Sequence, residues 1–380
     1  MRIRYSINLL FFLIGSITAF GQTETYADSL ISKGQYERLY PDTSEEVMEM
    51  PLKDTLLIAG VGDIMLGTNF PKASYLPPSG KSLLAPVDTF LRAPDCTFGN
   101  LEGTVLNDGG DVKKCSDPSK CYAFRMPEKL AWDLKKYGFD LISIANNHVG
   151  DFGSSGRKNT QKVLDSMQMV YAGLESCPWD TATIDGVTYG LCAFSPNTGT
   201  IKIHDYDRAK KIVEHLDSLS DIVVVSFHGG AEGSSHTHVT RETERFYGEN
   251  RGNVYAFAHT VIDHGADIVF GHGPHVTRAI EVYKDRFISY SLGNFATYAR
   301  FNLRGVSGIA PIMHVWTHRD GKFIKGQIIP TRQIGEGGPL YDSGKRVIKE
   351  IQKLVKEDFP ESNLLINDDG TFGLQEKPTN

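Results

Sequence analysis

The 380-residue sequence has no strong charge of either sign and little that is suited to crossing a membrane. Its formal net charge of −6 gives no support for nucleic acid or an anionic membrane surface as a partner. The apolar run over residues 7–20 is shorter than the about 20 residues that a membrane-spanning helix needs. There is no internal repeat and no low-complexity tract. A hydrophobic content of 40% and a charged content of 23% are typical of a globular protein.

Cysteine is also scarce, and the spacing of the five cysteines matches no zinc-ribbon pattern. Cys115 and Cys121 flank a short loop, and we hypothesise that they form a disulfide. Cys96 lies in an apolar run of strand length, so we expect a buried thiol. No cysteine lies near the N-terminal apolar run, which argues against a bacterial lipoprotein.

The N-terminus is typical of a secretory signal peptide. Two arginines precede the apolar run, and the small-residue pattern Ala19-Phe20-Gly21 follows it. We therefore expect export to the periplasm or the cell surface, with cleavage favoured over an uncleaved membrane anchor. Export permits disulfide formation.

The remaining chain divides by composition. We expect a signal peptide over 1–21, a polar and acidic linker over 22–53, one domain over 54–335, and a C-terminal helix with a polar tail over 336–380. Near-continuous apolar strands, such as residues 55–61, alternate with segments of helical periodicity. Uniformly apolar strands are covered on both faces, so the pattern predicts α/β layers with helices packed on sheets.

Polar residues follow most of these apolar strands directly. The densest stretch is Asn146-Asn147-His148 with Asp151, placed just after an apolar strand. The others are Asp63, Asn100, Glu102, His228, Glu232, His272 and His275. Ligands of open α/β sheets bind outside the carboxyl ends of the strands, so these side chains are candidates for one site. Capping or turn formation is the simpler alternative for each one taken alone.

The candidate side chains form a mixed nitrogen and oxygen donor set. Imidazoles suit Zn, Fe, Ni and Cu, and carboxylate or amide oxygens also admit Mn and Mg. No thiolate is among them, which argues against a structural zinc site. Glu232 is either a partner that orients an imidazole or a solvated charge, and the spacing does not decide. His236 and His238 lie in a polar loop, where we expect solvent exposure.

In order along the chain, several motifs resemble those of the bacterial CapA capsule-synthesis family. They are Gly62-Asp63-Ile64-Met65-Leu66-Gly67, Asn100-Leu101-Glu102-Gly103, Phe124-Arg125-Met126-Pro127, Ala145-Asn146-Asn147-His148, His228-Gly229-Gly230-Ala231-Glu232, Gly271-His272-Gly273-Pro274-His275 and Tyr290-Ser291-Leu292-Gly293-Asn294-Phe295. The resemblance covers about residues 56–330.

The resemblance implies a calcineurin-like metallophosphoesterase-type α/β fold, a four-layer sandwich of two mixed β-sheets flanked by helices. It also implies a role in making, exporting or anchoring poly-γ-glutamate, with that anionic polymer or a small substrate, and other envelope biosynthesis proteins, as partners. One or two divalent ions, Mn, Zn or Fe, are the expected cofactors. The implied metal ligands are Asp63, Glu102, Asn147, His228, His272 and His275. The expected catalytic residues are His148 and Asn146, and the expected substrate-binding residues are Asn100, Arg125, Asp151, Glu232 and Asn294.

The sequence departs from the metallophosphoesterase pattern at several positions. Met65 stands where those enzymes have a histidine, and Val149 follows His148 where they have Asp or Glu. Gly273 occupies a position that is often histidine in the CapA pattern. Two hypotheses therefore stay open: an exported metal-dependent hydrolase or transferase, and a non-catalytic envelope factor that binds polymer with a degenerate site.

Overall fold

The computed structural model describes residues 53–115 and 121–375. The predicted signal peptide, 1–21, and all but the last residue of the predicted linker lie outside the described residues. Among the described residues, no helix is long and apolar enough to span a membrane.

A large mixed sheet contains ten strands of the described chain, arranged around the long first strand. They are β1 Thr55–Met65, β2 Cys96–Leu101, β5 Leu141–Ser143, β6 Val170–Ala172, β15 Asn294–Thr297, β16 Ile309–His318, β17 Phe323–Gln333, β18 Pro339–Tyr341, β19 Leu364–Ile366 and β20 Thr371–Leu374. β1 pairs in parallel with β2 and β15 and antiparallel with β16. It is buried over nearly its whole length, as its uniformly apolar sequence predicts.

A second mixed sheet has six strands, in the order β13-β14-β12-β9-β8-β7. Their bounds are β7 Trp179–Ile184, β8 Val187–Phe194, β9 Ile222–His228, β12 Ile268–His272, β13 Ile280–Tyr283 and β14 Arg286–Ser289. Two short ribbons accompany the sheets: β3 Thr104–Val105 with β4 Arg125–Met126, and β10 Glu244–Phe246 with β11 Glu249–Gly252.

Helices cover the outer faces of the two sheets. They are α1 Asp88–Arg92, α2 Glu128–Lys136, α3 Gly153–Ser166, α4 Tyr206–Asp217, α5 Val254–Ile262 and α6 Arg346–Asp358. Single 3₁₀ turns occupy Ala73–Tyr75, Ala85–Val87 and Gly305–Gly308. In α4 the predicted apolar stripe is the buried face, and Asp205 caps the helix by accepting from the Arg208 amide at 3.1 Å.

Two apolar layers hold these elements together. One fills the space between the sheets and continues under α4, α5 and α6; the other lies between the large sheet and α2 and α3. Across the sheets, Phe98 stacks on Phe270 with 5.3 Å between ring centroids, and both rings are fully buried. Such a pair contributes about 0.5–1.5 kcal/mol beyond the burial of its area. The predicted sandwich of two mixed sheets flanked by helices is thus confirmed.

The described part of 336–380 is integrated into the large sheet. β18 and β20 both pair with β17, and Ile351 and Leu354 of α6 are fully buried in the core. The hypothesised Cys115–Cys121 disulfide is present, and the Cys96 thiol is buried as expected.

Candidate metal centre

The carboxyl ends of strands from both sheets meet at one place. In the large sheet, Asp63 of β1 lies opposite Asn100 of β2 and opposite Asn294 of β15. In the second sheet, His228 of β9 lies opposite His272 of β12. The register of the two sheets therefore fixes where the polar side chains near the strand ends come together.

Asp63 contacts two of the histidines directly. Its Oδ2 lies 2.8 Å from Nδ1 of His275, and its Oδ1 lies 3.3 Å from Nδ1 of His272. Burial raises the pKa of Asp63, but the hydrogen bonds with His272 and His275 outweigh burial and hold that pKa well below its usual range. Asp63 is therefore an ionised carboxylate inside the protein.

Glu102 is the second buried carboxylate, and the Asn100 amide connects it to Asp63. Asn100 Nδ2 donates to Asp63 Oδ1 at 2.8 Å and to Glu102 Oε2 at 2.7 Å. Nδ1 of His228 lies 3.5 Å from the same Glu102 oxygen. Burial and the charge of Asp63 raise the pKa of Glu102 to about 8. Two such carboxylates require positive charge nearby if both are to be ionised.

The resulting His–carboxylate cluster comprises five side chains: Asp63, Glu102, His228, His272 and His275. Both ring nitrogens of His228, Nε2 of His272 and Oε1 of Glu102 lack a hydrogen-bond partner among the described residues. Leaving a buried polar atom unpaired costs about 1–3 kcal/mol, so native proteins rarely do so without a ligand. Ligand atoms of Glu102, His228 and His275 lie within 4.8 Å of one another.

A divalent cation fits this donor set, because imidazoles and carboxylates are the ligands that transition metals take in mixed nitrogen and oxygen sites. Burial lowers the pKa of His275, but the hydrogen bond and charge of Asp63 outweigh burial and raise that pKa to about 10. His275 must therefore release a proton to become a ligand, and metal binding is expected to release protons.

His148 lies beside the cluster, with Nε2 3.9 Å from Glu102 Oε1. Its Nδ1 is 2.7 Å from Asp151 Oδ2, an arrangement in which the carboxylate accepts from Nδ1–H and directs Nε2 towards the cluster. Burial lowers the pKa of His148, and the nearby Asp151 opposes that shift. Phe124 covers the ring, with 4.5 Å between centroids.

A cavity of about 600 Å³ opens onto this centre. Asn147, His148 and His275 form the part of its wall that reaches the His–carboxylate cluster, while Asp63, Glu102, His228 and His272 are covered. The other lining residues include aromatic, amide, hydroxyl, basic and acidic side chains: Lys113, Tyr122, Phe124, Glu232, Ser235, His236, Phe246, Tyr247, Asn294, Arg300, Phe301 and Asn302. The cavity is large enough for part of an extended ligand.

Two predicted substrate-binding residues line the cavity, Glu232 and Asn294. Glu232 Oε1 lies 2.9 Å from the buried guanidinium of Arg251. Asn294 donates to the carbonyl oxygen of His275 at 3.0 Å and has an unpaired buried Oδ1. Asn147, predicted as a ligand, also has an unpaired buried Oδ1 at the cavity wall.

Three other predicted site residues are buried in contacts with the protein and do not line the cavity. Asn100 uses both amide hydrogens on the carboxylates, which leaves none for a substrate. Asn146 donates to Asn100 and to the carbonyl of Leu101 and accepts from the His148 amide, so its polar groups are engaged within the protein and it positions the loop. Asp151 orients His148 and accepts from the Phe124 amide at 2.7 Å.

The position of Arg125 also corrects the sequence-based expectation. Its guanidinium donates to Asn69 Oδ1 at 2.7 Å and to the carbonyl of Gly109 at 2.8 Å, and it lies over the ring of Phe152. Arg125 therefore does not line the cavity. Side chains alternate between the two faces of a strand, and this alternation in β4 determines the direction of the Arg125 side chain. A strand of two residues is too short for the sequence to show which face each residue occupies.

Local packing explains one departure from the family pattern. Gly273 has φ +114°, and a Cβ at that position would lie 2.5 Å from the Gly229 carbonyl oxygen. The turn after β12 is pressed against the turn after β9, so no side chain fits there. At another departure, Met65 is buried in β1 and forms no part of the cluster.

Sequence reasoning missed several residues at the cavity. His236 lines the wall beside Phe246, although its polar loop suggested solvent exposure. Phe246 and the exposed Tyr247 belong to the β10–β11 hairpin, within a segment expected to be irregular. Arg300 follows β15 with no motif to mark it.

Residues 57–299 match the family described as bacterial capsule synthesis protein PGA_cap. This chain belongs to that family. The matched region of this PGA_cap protein contains the whole His–carboxylate cluster and His148.

Two curated relatives carry capsule-related names. The chain is 28% identical over 261 residues to "Capsule biosynthesis protein CapA" of Bacillus anthracis, covering 64% of this chain and 60% of the relative. It is 28% identical over 258 residues to "PGA biosynthesis protein CapA" of Bacillus subtilis, covering 64% and 63%. The matches thus span less than two thirds of the length of either relative.

Solved structures resemble this PGA_cap protein more distantly. A hypothetical protein from Thermus thermophilus gives a TM-score of 0.44 at 14% identity and covers 73% of this chain and 100% of that one. A 5'-nucleotidase precursor from the same organism gives 0.39 at 12% identity, covering 80% and 58%. With TM-scores this low, the family assignment depends on the sequence match.

Proposed function

We propose that this PGA_cap protein is an exported metal-dependent hydrolase or transferase that acts on an anionic capsule polymer of the poly-γ-glutamate type. The observation that carries the proposal is the His–carboxylate cluster, in which buried imidazole nitrogens without protein partners lie beside two buried carboxylates. Unpaired polar groups in a protein core are costly unless a ligand uses them.

Glu102, His228 and His275 would hold one divalent ion, with Asp63, His272 and Asn147 available to complete its shell or to hold a second. Such an ion supplies Lewis acidity and lowers the pKa of a water nucleophile. Mn, Zn and Fe all accept this donor set.

The chain itself contributes a positioned proton carrier. Asp151 fixes the ring of His148, and Lys113 Nζ lies 2.5 Å from Asp151 Oδ1. Nε2 is the His148 atom that faces the cluster. In the neutral ring Nε2 can accept a proton from the attacking group, and once protonated it can give that proton to a leaving group or stabilise developing negative charge. Phe124 covers this ring and excludes water from one side of it.

The assignment of substrate class draws on the relatives and on the cavity. Both named relatives serve capsule or polymer biosynthesis, and the cavity wall provides amides and basic side chains suited to an anionic chain. Envelope biosynthesis proteins are the expected partners.

Metal content and turnover test the proposal together. We expect protein reconstituted with Mn²⁺ or Zn²⁺ to retain stoichiometric metal after desalting and to cleave or transfer poly-γ-glutamate or a phosphoester. His272→Ala should lose metal and turnover, while His264→Ala, a change at a partly exposed residue just after α5, should keep both. Wild-type protein that neither retains metal nor turns over any of these substrates would refute the proposal.

A non-catalytic polymer-binding role is the second candidate, because Met65 stands where metallophosphoesterases have a histidine. Its test is a pulldown of poly-γ-glutamate by the Glu102→Ala, His148→Ala double variant. Binding at the wild-type level, together with inert wild-type protein, would favour the second candidate. Loss of turnover with retained binding would favour the first.

Export is part of the same proposal. We expect the mature protein to begin near residue 22, which N-terminal sequencing of the protein recovered from the periplasmic or surface fraction will measure. Recovery of an intact N-terminus in the membrane fraction would instead indicate an anchor.

A further inference from the structure

The turn that follows β15 has an unusual backbone. Ala299 and Arg300 are consecutive non-glycine residues with φ of +51° and +59°. The Ala299 amide donates to the carbonyl of Glu336 at 2.7 Å, and the Tyr298 amide donates to that of Met65 at 3.0 Å, which holds the turn in place. Left-handed residues without glycine persist only where the surrounding structure imposes them, and they concentrate at ligand-binding sites.

This turn presents Arg300 at the cavity wall. The guanidinium lies over two tyrosine rings, 5.3 Å from the centroid of Tyr75 and 5.0 Å from that of Tyr122. Two cation–π contacts restrict an arginine side chain while leaving N–H groups of the guanidinium available. The side chain is therefore held in one orientation before any ligand arrives.

Arg300 also differs from Lys113, the lysine that lines the cavity. Lys113 is engaged by Asp151, whose Oδ1 lies 2.5 Å from Nζ. No carboxylate among the described residues forms an ion pair with Arg300, although it is half-buried and faces the cavity. An oriented guanidinium without an acidic partner is suited to bind a carboxylate or phosphate through two parallel hydrogen bonds.

Aromatic contacts separate Arg300 from the His–carboxylate cluster. The Tyr122 ring lies 6.4 Å from that of Phe124, which in turn lies 4.5 Å from the ring of His148. Phe301 stacks on Phe124 at 5.1 Å and completes this wall. A ligand that reaches both His148 and Arg300 must therefore be elongated, with its anionic group displaced from the reacting bond.

We propose that Arg300 is the specificity-determining residue that selects substrates carrying an anionic group remote from the reacting bond. This inference rests on the proposed function, since it names the part of that cavity that recognises the substrate. It replaces Arg125, which the sequence favoured and which the structure places elsewhere.

Binding measured without turnover tests the proposal. The probes are a short γ-linked glutamate oligomer, the same oligomer with its side carboxylates amidated, and inorganic phosphate, each titrated by calorimetry into metal-loaded protein. We expect Arg300→Gln to weaken binding of the carboxylated oligomer about 10- to 100-fold and to leave the amidated oligomer unchanged. Arg304→Gln, the same change at an exposed residue outside the cavity, should have no effect.

Arg300→Lys is the second variant and guards against a folding defect in Arg300→Gln. We expect it to restore part of the affinity, because lysine keeps the charge but not the planar fork. Phosphate that competes with the oligomer only when Arg300 is present would show that the site accepts either anion. The proposal would be overturned if wild type and both Arg300 variants bound the carboxylated oligomer with equal affinity. It would also be overturned if the variants lost as much affinity for the amidated oligomer as for the carboxylated one. If Arg300-dependent binding occurs without any turnover, the proposed catalytic function fails while this inference stands.

Discussion

The buried ion pair between Arg278 and Glu244 is the sharpest place to test how this cavity is built. Arg278 is fully buried, and its two terminal nitrogens lie 2.7 and 2.8 Å from the Glu244 carboxylate oxygens. Its Nε donates to the carbonyl of His236 at 2.9 Å, and Glu244 accepts from the Ala231 amide at 2.8 Å. The pair thus ties the β10–β11 hairpin, with Phe246 at its tip, to the second sheet.

We expect each single substitution to be strongly destabilising. Arg278→Met leaves a buried carboxylate without its counter-charge, and Glu244→Leu leaves a buried guanidinium in the same state. Each change should lower the free energy of unfolding by about 3–5 kcal/mol. Typical stabilities of about 5–15 kcal/mol leave both variants folded enough to measure.

The double variant should cost less than the sum of the single changes, because no uncompensated charge remains. It leaves the Ala231 amide without its acceptor and the His236 carbonyl without its donor, and it removes a longer hydrogen bond, 3.3 Å, to the Ala231 carbonyl. The first two groups, at about 1–3 kcal/mol each, should cost about 2–6 kcal/mol in total. Taking the middle of each range, the expected coupling energy is about 4 kcal/mol.

Urea unfolding at pH 7 with linear extrapolation measures all three variants. The matched control is the partly exposed pair of Arg319 and Asp221, 3.1 Å apart, where the same cycle should give a coupling below about 1 kcal/mol. Two outcomes would contradict this account of the ion pair. One is a loss of under about 1 kcal/mol in each single variant. The other is a sum of the two single losses that equals the loss in the double variant within about 0.5 kcal/mol.

Three further predictions concern the metal, a crowded glycine and the Asp342 carboxylate, which accepts hydrogen bonds from Arg346 at the start of α6. Mn²⁺ or Zn²⁺ at 100 times its dissociation constant should raise the free energy of unfolding of the wild-type protein by about 2.7 kcal/mol. The same metal should not stabilise His228→Ala, and thermal melts with and without EDTA will measure both. Gly62→Ala should lower the free energy of unfolding in urea by about 3 kcal/mol or more, because the added Cβ would lie 1.9 Å from the Gly293 carbonyl oxygen. In the control Gly373→Ala the added Cβ meets nothing within 4 Å, so the free energy of unfolding should change by less than about 1 kcal/mol. Burial raises the pKa of Asp342, but hydrogen bonds from the first turn of α6 outweigh burial and keep that pKa below its usual range. Asp342→Asn should therefore lower the free energy of unfolding by about 1 kcal/mol above about pH 5. The difference from wild type should be lost progressively as the pH falls below about 4, because the wild-type carboxylate stabilises the fold only while it is ionised. A constant difference across that pH range would contradict this assignment.

The parts of the fold predicted from the sequence are those that depend on local patterns. The apolar run of β1 and the stripe of α4 both identify buried elements, and Asp63 and His228 lie at or near the carboxyl ends of such strands. Parallel strand ends then converge for geometric reasons, which is why the sequence pointed to the His–carboxylate cluster.

Contacts between distant residues explain what the sequence did not reveal. The β10–β11 hairpin is polar, and Glu244 is buried there because Arg278, in the segment that leads into β13, neutralises it. Asn100 and Asp151 are polar residues of the kind that bind substrates, yet their partners inside the protein consume their hydrogen-bonding groups. Side-chain direction and pairing of this sort depend on the whole fold and not on neighbouring residues.

The amide of Asn100 has a consequence for how tolerant this centre is to change. It is the neutral spacer between two acids, and its own oxygen accepts from Asn146 at 3.1 Å. Aspartate has almost the same shape, but it would replace the bridging donor with a third negative oxygen pair at the most enclosed point of the site. Exchanging one heavy atom at position 100, the amide nitrogen for an oxygen, would thus turn a pocket suited to a doubly charged cation into one in which three carboxylates repel one another.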